Sequence, residues 1–188
     1  MDTRSELRPL SRARLLSRLS ATRPERRQDP ELRGTLLALR AVARRVQQLT
    51  AEERELAREI EKLTTKLAPQ LLNQHGIGPL LAAQIVLSWS HRGRVVSEAA
   101  FARLAGAAPI PASSGQTIRY RLDRSGDRQL NRALHQIVVT RRRTHRPTID
   151  YIERRIQEGK SRREATRCLK RYLARNLYRL LETPPLTT

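Results

Sequence analysis

Apolar residues recur every seven positions between Leu32 and Leu67. One position of the repeat holds Leu32, Leu39, Val46, Ile60 and Leu67, and the other holds Val42, Leu49, Leu56 and Leu63. Charged residues of both signs fill most of the positions between them. Because a seven-residue apolar period aligns one stripe along a helix, the pattern predicts a long coiled-coil-like helical segment over residues 32–68.

The pattern leaves the partner of this apolar stripe open. The stripe can face a second chain in an intermolecular coiled coil, or it can form one arm of a helical core. Thr50 and Glu53 also form a T-x-x-E capping box, which permits a break near Leu49 and a hairpin that folds back on itself. Three arrangements of residues 32–68 are therefore consistent with the sequence.

A glycine-rich turn follows, within the segment LLNQHGIGPLLAAQIVLSW at residues 71–89. Gly76, Ile77 and Gly78 separate two helical patterns, and Pro79 stands at the first position of the second helix. This is the helix-hairpin-helix pattern, in which backbone N–H groups and a helix N-terminus approach a phosphate without reading the base. We predict that Gly76, Ile77 and Gly78 bind DNA; the alternative is a plain helical hairpin.

The remaining elements are also predicted to be helical, apart from a short extended arm near residues 118–122, where apolar residues alternate with arginine. Ser97 is an expected helix N-cap, and Ser161 with Glu164 forms a capping box before the last helix, whose apolar face includes Tyr172. The predicted fold is mainly α: a long coiled-coil-like helical segment and then a compact helical domain with a helix-hairpin-helix. The predicted domains are a basic, partly disordered leader at 1–31, the coiled-coil or hairpin segment at 32–68, a compact domain at 69–182 and a tail at 183–188.

The composition indicates a polyanionic partner. Lys and Arg number 38 against 18 Asp and Glu, a formal charge of +20, while aromatic residues make up only 3%. Phosphate contacts are therefore expected to dominate over base stacking. The single cysteine, Cys168, excludes a disulfide framework or a zinc site built within one chain. No apolar run reaches the roughly 18 residues of a membrane span, so we expect an intracellular protein with no membrane partner.

The charge is concentrated directly after the segment PASSGQT at residues 111–117. Nine arginines and only two acids lie between residues 119 and 146. Guanidinium groups are strong phosphate ligands, and our candidates for DNA contact are Arg119, Arg121, Arg124, Arg128 and Arg132. A serine hydroxyl in such surroundings can attack a phosphodiester when a base is also present. A Ser-Ser-Gly triplet is more often simply a turn, and the residues alone leave both interpretations open.

Five segments carry a family resemblance: GIGPLLAAQI, FARLAGAAPIPASSGQT, RLDRSGDRQLNRALH, YIERRIQEGKS and RCLKRYLARNLYRLL. In this order and spacing they resemble the C-terminal half of the DEDD-type, bridge-RNA-guided transposases of bacterial insertion sequences. The coil before them is similar to the linker of that family, so the resemblance covers about residues 32–181. It implies DNA transposition by a cytoplasmic, nucleoid-associated protein that binds DNA and a guide RNA and forms a homo-oligomer through the coil.

The resemblance also implies a catalytic residue. In that family a serine of the C-terminal domain attacks DNA and forms a covalent phosphoserine link. It stands immediately before a glycine, which carries over to Ser114, with Ser113 as the second choice. The family's other half is an RNase H-like domain whose Asp, Glu, Asp, Asp set binds Mg²⁺, and the sequence shows nothing similar.

We therefore expect no metal site within this chain, and we expect a truncated protein whose activity requires the missing half. Two alternatives stay open. The chain can be a catalytically silent transposase remnant that binds DNA or RNA, or it can be an assembly partner that acts through the coil.

Overall fold

The computed structural model describes residues 5, 7–25, 29–111, 120–121, 123 and 125–183. This part of the chain contains eight helices and one pair of two-residue strands, and the prediction of a mainly α fold is confirmed. The elements in chain order are α1 (Arg12–Ala21), α2 (Pro30–Leu67), α3 (Pro69–Leu72), α4 (Pro79–Trp89), α5 (Glu98–Leu104), β1 (Ile110–Pro111), β2 (Tyr120–Arg121), α6 (Arg128–Thr144), α7 (Arg146–Gln157) and α8 (Arg162–Glu182). They form two compact units, Met1–Arg58 and Glu59–Thr188.

In the first unit, α1 is tied to α2. Leu19 of α1 is buried, as are Leu36 and Ala43 of α2. The guanidinium of Arg44 donates from Nε to the carbonyl oxygen of Ser20 over 3.1 Å, near the C-terminal end of α1. An arginine that satisfies a carbonyl in the last turn of a helix stabilises that end of the helix, where the backbone oxygens have no partner within the helix itself.

Helix α2 runs for 38 residues without a break. The Thr50 hydroxyl donates to the carbonyl oxygen of Val46 over 2.7 Å, one turn back along the same helix. Thr50 therefore lies inside the helix and is not the N-cap of a new one. The hairpin with a break near Leu49 is therefore wrong. Much of the heptad stripe is exposed, including Val42, Leu56 and Leu63. A continuous helix with an exposed apolar stripe is what an intermolecular coiled coil requires, and that association stays a prediction.

The core of the second unit is built around α6 and α8. Helix α8 packs against α3, α5, α6 and α7, and α4 packs against α6. Both central helices bury a stripe with helical spacing. The buried residues of this stripe are Leu130, Ala133, Leu134, Ile137 and Val138 in α6, and Ala165, Leu173, Ala174, Leu177 and Leu181 in α8. Phe101 of α5 is fully buried among them.

Side-chain caps fix where several of these helices begin. Ser97 accepts a hydrogen bond from the backbone N–H of Ala100 over 3.2 Å, as predicted for an N-cap. Ser161 and Glu164 form the predicted capping box at α8. Asp127 caps α6 by accepting from the N–H groups of the first helical turn. Each cap satisfies a backbone donor that the helix itself leaves unpaired, so the starting points of α5, α6 and α8 are set locally.

Two glycines allow the turn before α6 to lie against the end of α5. A Cβ on Gly126, whose φ is +94°, would lie 2.5 Å from the carbonyl oxygen of Leu104. A Cβ on Gly106, whose φ is +59°, would lie 2.9 Å from Nδ2 of Asn131. Only glycine combines this backbone conformation with such a close approach. The chain that leaves α5 is therefore held directly against the N-terminal end of α6.

The chain then forms a minimal strand pair. Residues Ile110 and Pro111 pair with Arg121 and Tyr120 in antiparallel register. The predicted extended arm near residues 118–122 is described only at residues 120–121. This pairing brings together the two flanks of residues 112–119.

An ion pair joins α5 to α8. Glu98 accepts a hydrogen bond from Nε of Arg175 over 2.7 Å and a second one from Arg179. The hydrogen bonds from Arg179 and Arg175 lower the pKa of Glu98 from 4.5 to about 2. Because the folded-state pKa is depressed, the stabilisation is present above the unfolded-state pKa and is lost as the pH falls through the folded-state value.

We expect Glu98→Gln to lower the melting temperature at pH 7, because the charged hydrogen bonds to both arginines weaken. The difference from the wild type should shrink between about pH 5 and pH 2, where the wild-type carboxylate becomes protonated. Thermal unfolding followed by circular dichroism over this pH range measures it. The exposed Glu153 on α7 provides the control variant Glu153→Gln. A difference in melting temperature that stays constant down to pH 2 would contradict a stabilising ion pair between α5 and α8.

Candidate nucleic-acid interface

A cavity of about 580 Å³ lies between the chain that leaves α5 and the helices α7 and α8. Its walls contain six cationic side chains and only two carboxylates. The lining residues are Gly106, Ala107, Ala108, Pro109, Asp123, Arg155, Lys160, Glu164, Arg167, Cys168, Lys170, Arg171, Tyr172 and Arg175. An excess of positive charge in a recess attracts anions and concentrates them there.

Lys170 is held in this cavity by a neutral partner. Its Nζ donates to Oδ1 of Asn131 over 2.6 Å. The Nδ2 of Asn131 in turn donates to the carbonyl oxygen of Ala105 over 2.6 Å. Burial lowers the pKa of the Lys170 ammonium. An amide can fix the position of an ammonium group, but it cannot compensate its charge.

The two carboxylates of the cavity are engaged by neutral donors. Asp123 accepts from the backbone N–H of Ser125 over 2.8 Å and from its hydroxyl over 2.6 Å, which lowers the pKa of Asp123. Glu164 accepts from the hydroxyl of Ser161 over 2.7 Å and from its N–H over 2.9 Å, which lowers its pKa. Neither carboxylate forms an ion pair within 4 Å with a described residue.

The cationic side chains of the cavity fall into two groups. Arg155 is paired with Glu158, and Arg175 is paired with Glu98, each over 2.7 Å. Within the part of the chain that the structure describes, the other four form no ion pair; they are Lys160, Arg167, Lys170 and Arg171. These four side chains are the cations of the cavity that are available to an anionic ligand.

The described flanks of the predicted nucleophile segment lie near this cavity. Pro109 lines the cavity, and the strand pair of residues 110–111 with 120–121 follows directly. The predicted site residues Ser113, Ser114, Arg119 and Arg124 lie outside the described residues, and Arg121 is described only in its backbone. The described structure thus shows the flanks of the segment that carries both serines.

The three residues of the glycine turn before α4 that are predicted to bind DNA have different surroundings. Gly76 has a φ of +80°, and a Cβ there would lie 3.4 Å from Cγ2 of Thr140 in α6. Ile77 is buried, and its N–H donates to the carbonyl oxygen of Gln74. A Cβ on Gly78 would meet nothing within 4 Å. Gly76 therefore serves the turn and Ile77 the core, while Gly78 leaves the backbone accessible.

Helix α4 begins at this accessible point. Gly78 is its N-cap, and no hydrogen bond from the N–H groups of Gly78, Leu80 or Leu81 is found among the described residues. The positive end of the α4 dipole therefore points to solvent with free donors, an arrangement that suits a phosphate. The plain-hairpin alternative does not require the open space at Gly78.

The arginine-rich segment is divided between the two ends of α6. Arg128 and Arg132 are exposed at the N-terminal end, while Arg141, Arg142 and Arg143 lie in the last turn. Arg141 is thirteen positions after Arg128 in the helix, which places them about 20 Å apart along the axis. Neither Arg128 nor Arg132 lines the cavity. The described arginines of this segment therefore do not form one patch.

The C-terminal end of α6 lies beside the glycine turn. Arg141 donates from Nε to the carbonyl oxygen of His75 over 2.7 Å, and Nε2 of His75 lies 2.8 Å from Oγ1 of Thr144. Burial lowers the pKa of Arg141. Burial, followed by the charges of Arg141 and His75, also lowers the pKa of His145. A cation is thus placed next to the start of α4.

Sequence reasoning did not select the residues of the cavity. A usable signal was present, because Arg167, Arg171 and Arg175 are spaced by four positions and share one face of α8. Their partners could not be found in this way, since Lys170 and Asn131 are 39 positions apart. Tyr172, which the pattern assigns to the buried face of α8, is 53% exposed at the cavity.

The described residues do not fit the Mg²⁺ that the family resemblance implies for its other half. They contain no group of three or more His, Cys, Asp or Glu side chains that could hold a metal ion. The carboxylates nearest to the cavity are already engaged by serine donors. We therefore derive no step through a metal held by these residues.

None of the helices described here is long and apolar enough to cross a membrane.

A comparison with known proteins finds a family match for part of the chain. Residues 68–153 match the model of the Transposase IS116/IS110/IS902 family. No curated protein matches the chain. The matched range contains the glycine turn, the segment with both serines, the turn at Asp123 and all of α6. Residues 68–153 are therefore similar to the Transposase IS116/IS110/IS902 family, a match that supports a general role in DNA transposition.

Proposed function

We propose that this chain is a serine-bearing, DNA-binding part of a transposase in which Ser114 attacks a DNA phosphodiester. The observation that carries the proposal is the position of the strand pair at residues 110–111 and 120–121. It joins the two flanks of the serine segment beside a cavity that has four cations without ion pairs. A nucleophile and the donors that stabilise charge on phosphorus oxygens are needed at the same place.

The proposed step conserves the phosphodiester energy. Oγ of Ser114 loses its proton and forms a bond to phosphorus, while the bond from phosphorus to one deoxyribose oxygen breaks. The leaving oxygen takes up a proton, and the DNA strand remains linked to the protein as a phosphoserine. Attack by a deoxyribose hydroxyl on this link reverses the step and rejoins DNA. Cationic donors lower the barrier because negative charge builds up on the non-bridging oxygens.

Further DNA contacts are proposed away from the serine segment. The free N–H groups at Gly78 and the start of α4 suit a backbone phosphate. Arg128 and Arg132 are exposed and suit phosphate contacts on a neighbouring part of the duplex. We keep Arg119, Arg121 and Arg124, which flank the serine segment in sequence, as further candidates.

Other partners are proposed from the family and from α2. The family uses Mg²⁺. Acidic residues would have to bind this ion from outside the described part of the chain, in the same or another polypeptide. A guide RNA is a second nucleic-acid partner. The exposed heptad stripe of α2 supports association with a second copy of the chain.

Ser114→Ala should abolish a covalent protein–DNA adduct, and Ser113→Ala should retain it. The adduct is trapped on labelled DNA, with the metal-binding family domain and Mg²⁺ supplied in trans, and is detected by denaturing gel and mass spectrometry. Both variants remove one hydroxyl from the same segment, so they are matched for any effect on its conformation. An adduct that survives Ser114→Ala, or a wild-type protein that forms none under these conditions, would contradict the proposal.

A catalytically silent nucleic-acid-binding module is the second candidate. It is favoured by the accessible donors at Gly78, which can bind a phosphate without any chemical step.

Gly78→Ala should weaken DNA binding about threefold to tenfold, because the new methyl group blocks close approach of a phosphate to one or two N–H donors. Its φ of −95° and the open space around it are compatible with alanine, so the stability should change by less than about 1 kcal/mol. Fluorescence anisotropy with duplex DNA at several salt concentrations measures the affinity. Gly34→Ala on α2, which also has open space, is the matched control. Equal affinities for both variants would contradict a phosphate contact at this turn.

A further inference from the structure

We propose that the cavity between residues 106–109 and α8 is a binding site for one backbone phosphate of DNA, held by Arg167, Lys170 and Arg171. The inference rests on the proposed function, because the ligand is taken to be the DNA on which the transposase acts. The three cationic side chains lie outside the matched family range, which ends at residue 153, while the opposite wall at residues 106–109 lies inside it.

The cavity carries more positive than negative charge. Arg167, Lys170 and Arg171 lie on consecutive turns of one helix and form no ion pair within 4 Å with a described residue. Glu164 lies close enough to Arg167 and Lys160 for their charges to lower its pKa, whereas the hydrogen-bond partner of Lys170 is the neutral Asn131. Burying part of an ammonium group without a countercharge costs free energy, so an anion that enters beside Lys170 stabilises it.

The geometry of Lys170 defines the donors that face the ligand. Because Nδ2 of Asn131 donates to Ala105, the amide must turn its oxygen toward Lys170. This oxygen accepts one of the three N–H bonds of the ammonium group, and the other two remain for a ligand. The ammonium is thus held in place before an anion binds, which reduces the entropy lost on binding.

The surroundings favour DNA over a small free anion. The cavity of about 580 Å³ is much larger than one phosphate group, so a bound phosphate leaves room for the sugars that flank it. Tyr172 presents a ring that is 53% exposed at the cavity, where it can pack against a deoxyribose or a base. The serine segment begins directly after Ile110 and Pro111, beside Pro109 of the cavity wall. A phosphate bound here is next to the described residues that lead into the proposed nucleophile segment.

Cys168 provides a reporter inside the cavity. It is the only cysteine of the chain, it lines the cavity, and it is partly buried. The rate of its alkylation by the uncharged reagent N-ethylmaleimide can be followed by mass spectrometry with the full chain. We expect saturating duplex DNA to slow alkylation about fivefold or more, while inorganic phosphate at the same phosphate concentration leaves the rate unchanged.

Three results would overturn the proposal. One is an unchanged alkylation rate with DNA that anisotropy shows to be bound. A second is equal protection by inorganic phosphate, which would remove the assignment to DNA. The third is protection by an RNA duplex of the same length but not by DNA.

Matched variants on α8 test the residues. Lys170→Met, Arg167→Gln and Arg171→Gln should each raise the DNA concentration needed for half-protection about tenfold and reduce the salt slope of binding by about one. Arg163 is exposed on the same helix but does not line the cavity. Arg163→Gln should therefore change neither the DNA concentration needed for half-protection nor the salt slope. Arg171 is exposed, so Arg171→Gln tests the site even where Lys170→Met fails to fold. Equal effects of Arg171→Gln and Arg163→Gln would mean a general charge effect and would overturn the site.

The result is separable from the test of the proposed nucleophile. Protection of Cys168 together with no adduct at Ser114 would remove the serine chemistry and support the phosphate site. An adduct at Ser114 together with an unprotected Cys168 would remove the phosphate site and leave the serine chemistry intact.

Discussion

One side-chain amide holds together the helices on which the candidate site depends. Asn131 of α6 donates to the carbonyl oxygen of Ala105 at the end of α5 and accepts from the ammonium of Lys170 in α8. The amide occupies the space that a Cβ on Gly106 would fill. Because the chain turns at Gly106 toward residues 107–111, the same contact directs the cavity wall and the strand pair that follows. A buried polar connection of this kind is effective only when all its members are satisfied.

The charges of the second unit are divided between structure and ligand binding. Three of its carboxylates stabilise the fold. Glu98 forms an ion pair between α5 and α8, Asp123 stabilises the turn before α6, and Glu164 is part of the cap of α8. Hydrogen bonds lower the pKa of each, so these groups stay ionised at neutral pH. Since the acids are occupied in this way, cations at the cavity and at the glycine turn have no ion pair. The chain combines a stable helical fold with surfaces that attract a polyanion.

Local features of the fold could be predicted from the sequence, and distant ones could not. The caps at Ser97 and Ser161 were predictable because a cap depends on residues three positions apart. The capping box at Thr50 was misleading, since the hydroxyl can bond back to Val46 and the helix then continues. The number of arginines after residue 118 also does not reveal that the length of α6 separates Arg128 from Arg141. The cavity depends on contacts between residues 105, 131 and 170, which no local pattern contains.

The central claim is that the cavity cations bind the DNA backbone beside the serine segment. Its most direct test is the pKa of the Lys170 ammonium, measured by NMR of the lysine side chains in the free protein and in the DNA complex. In the free protein it should lie below the usual value of about 10.4, because the ammonium is partly buried without a countercharge. A bound phosphate should raise it by about one unit or more. A pKa of Lys170 that is unchanged in the complex would contradict the claim.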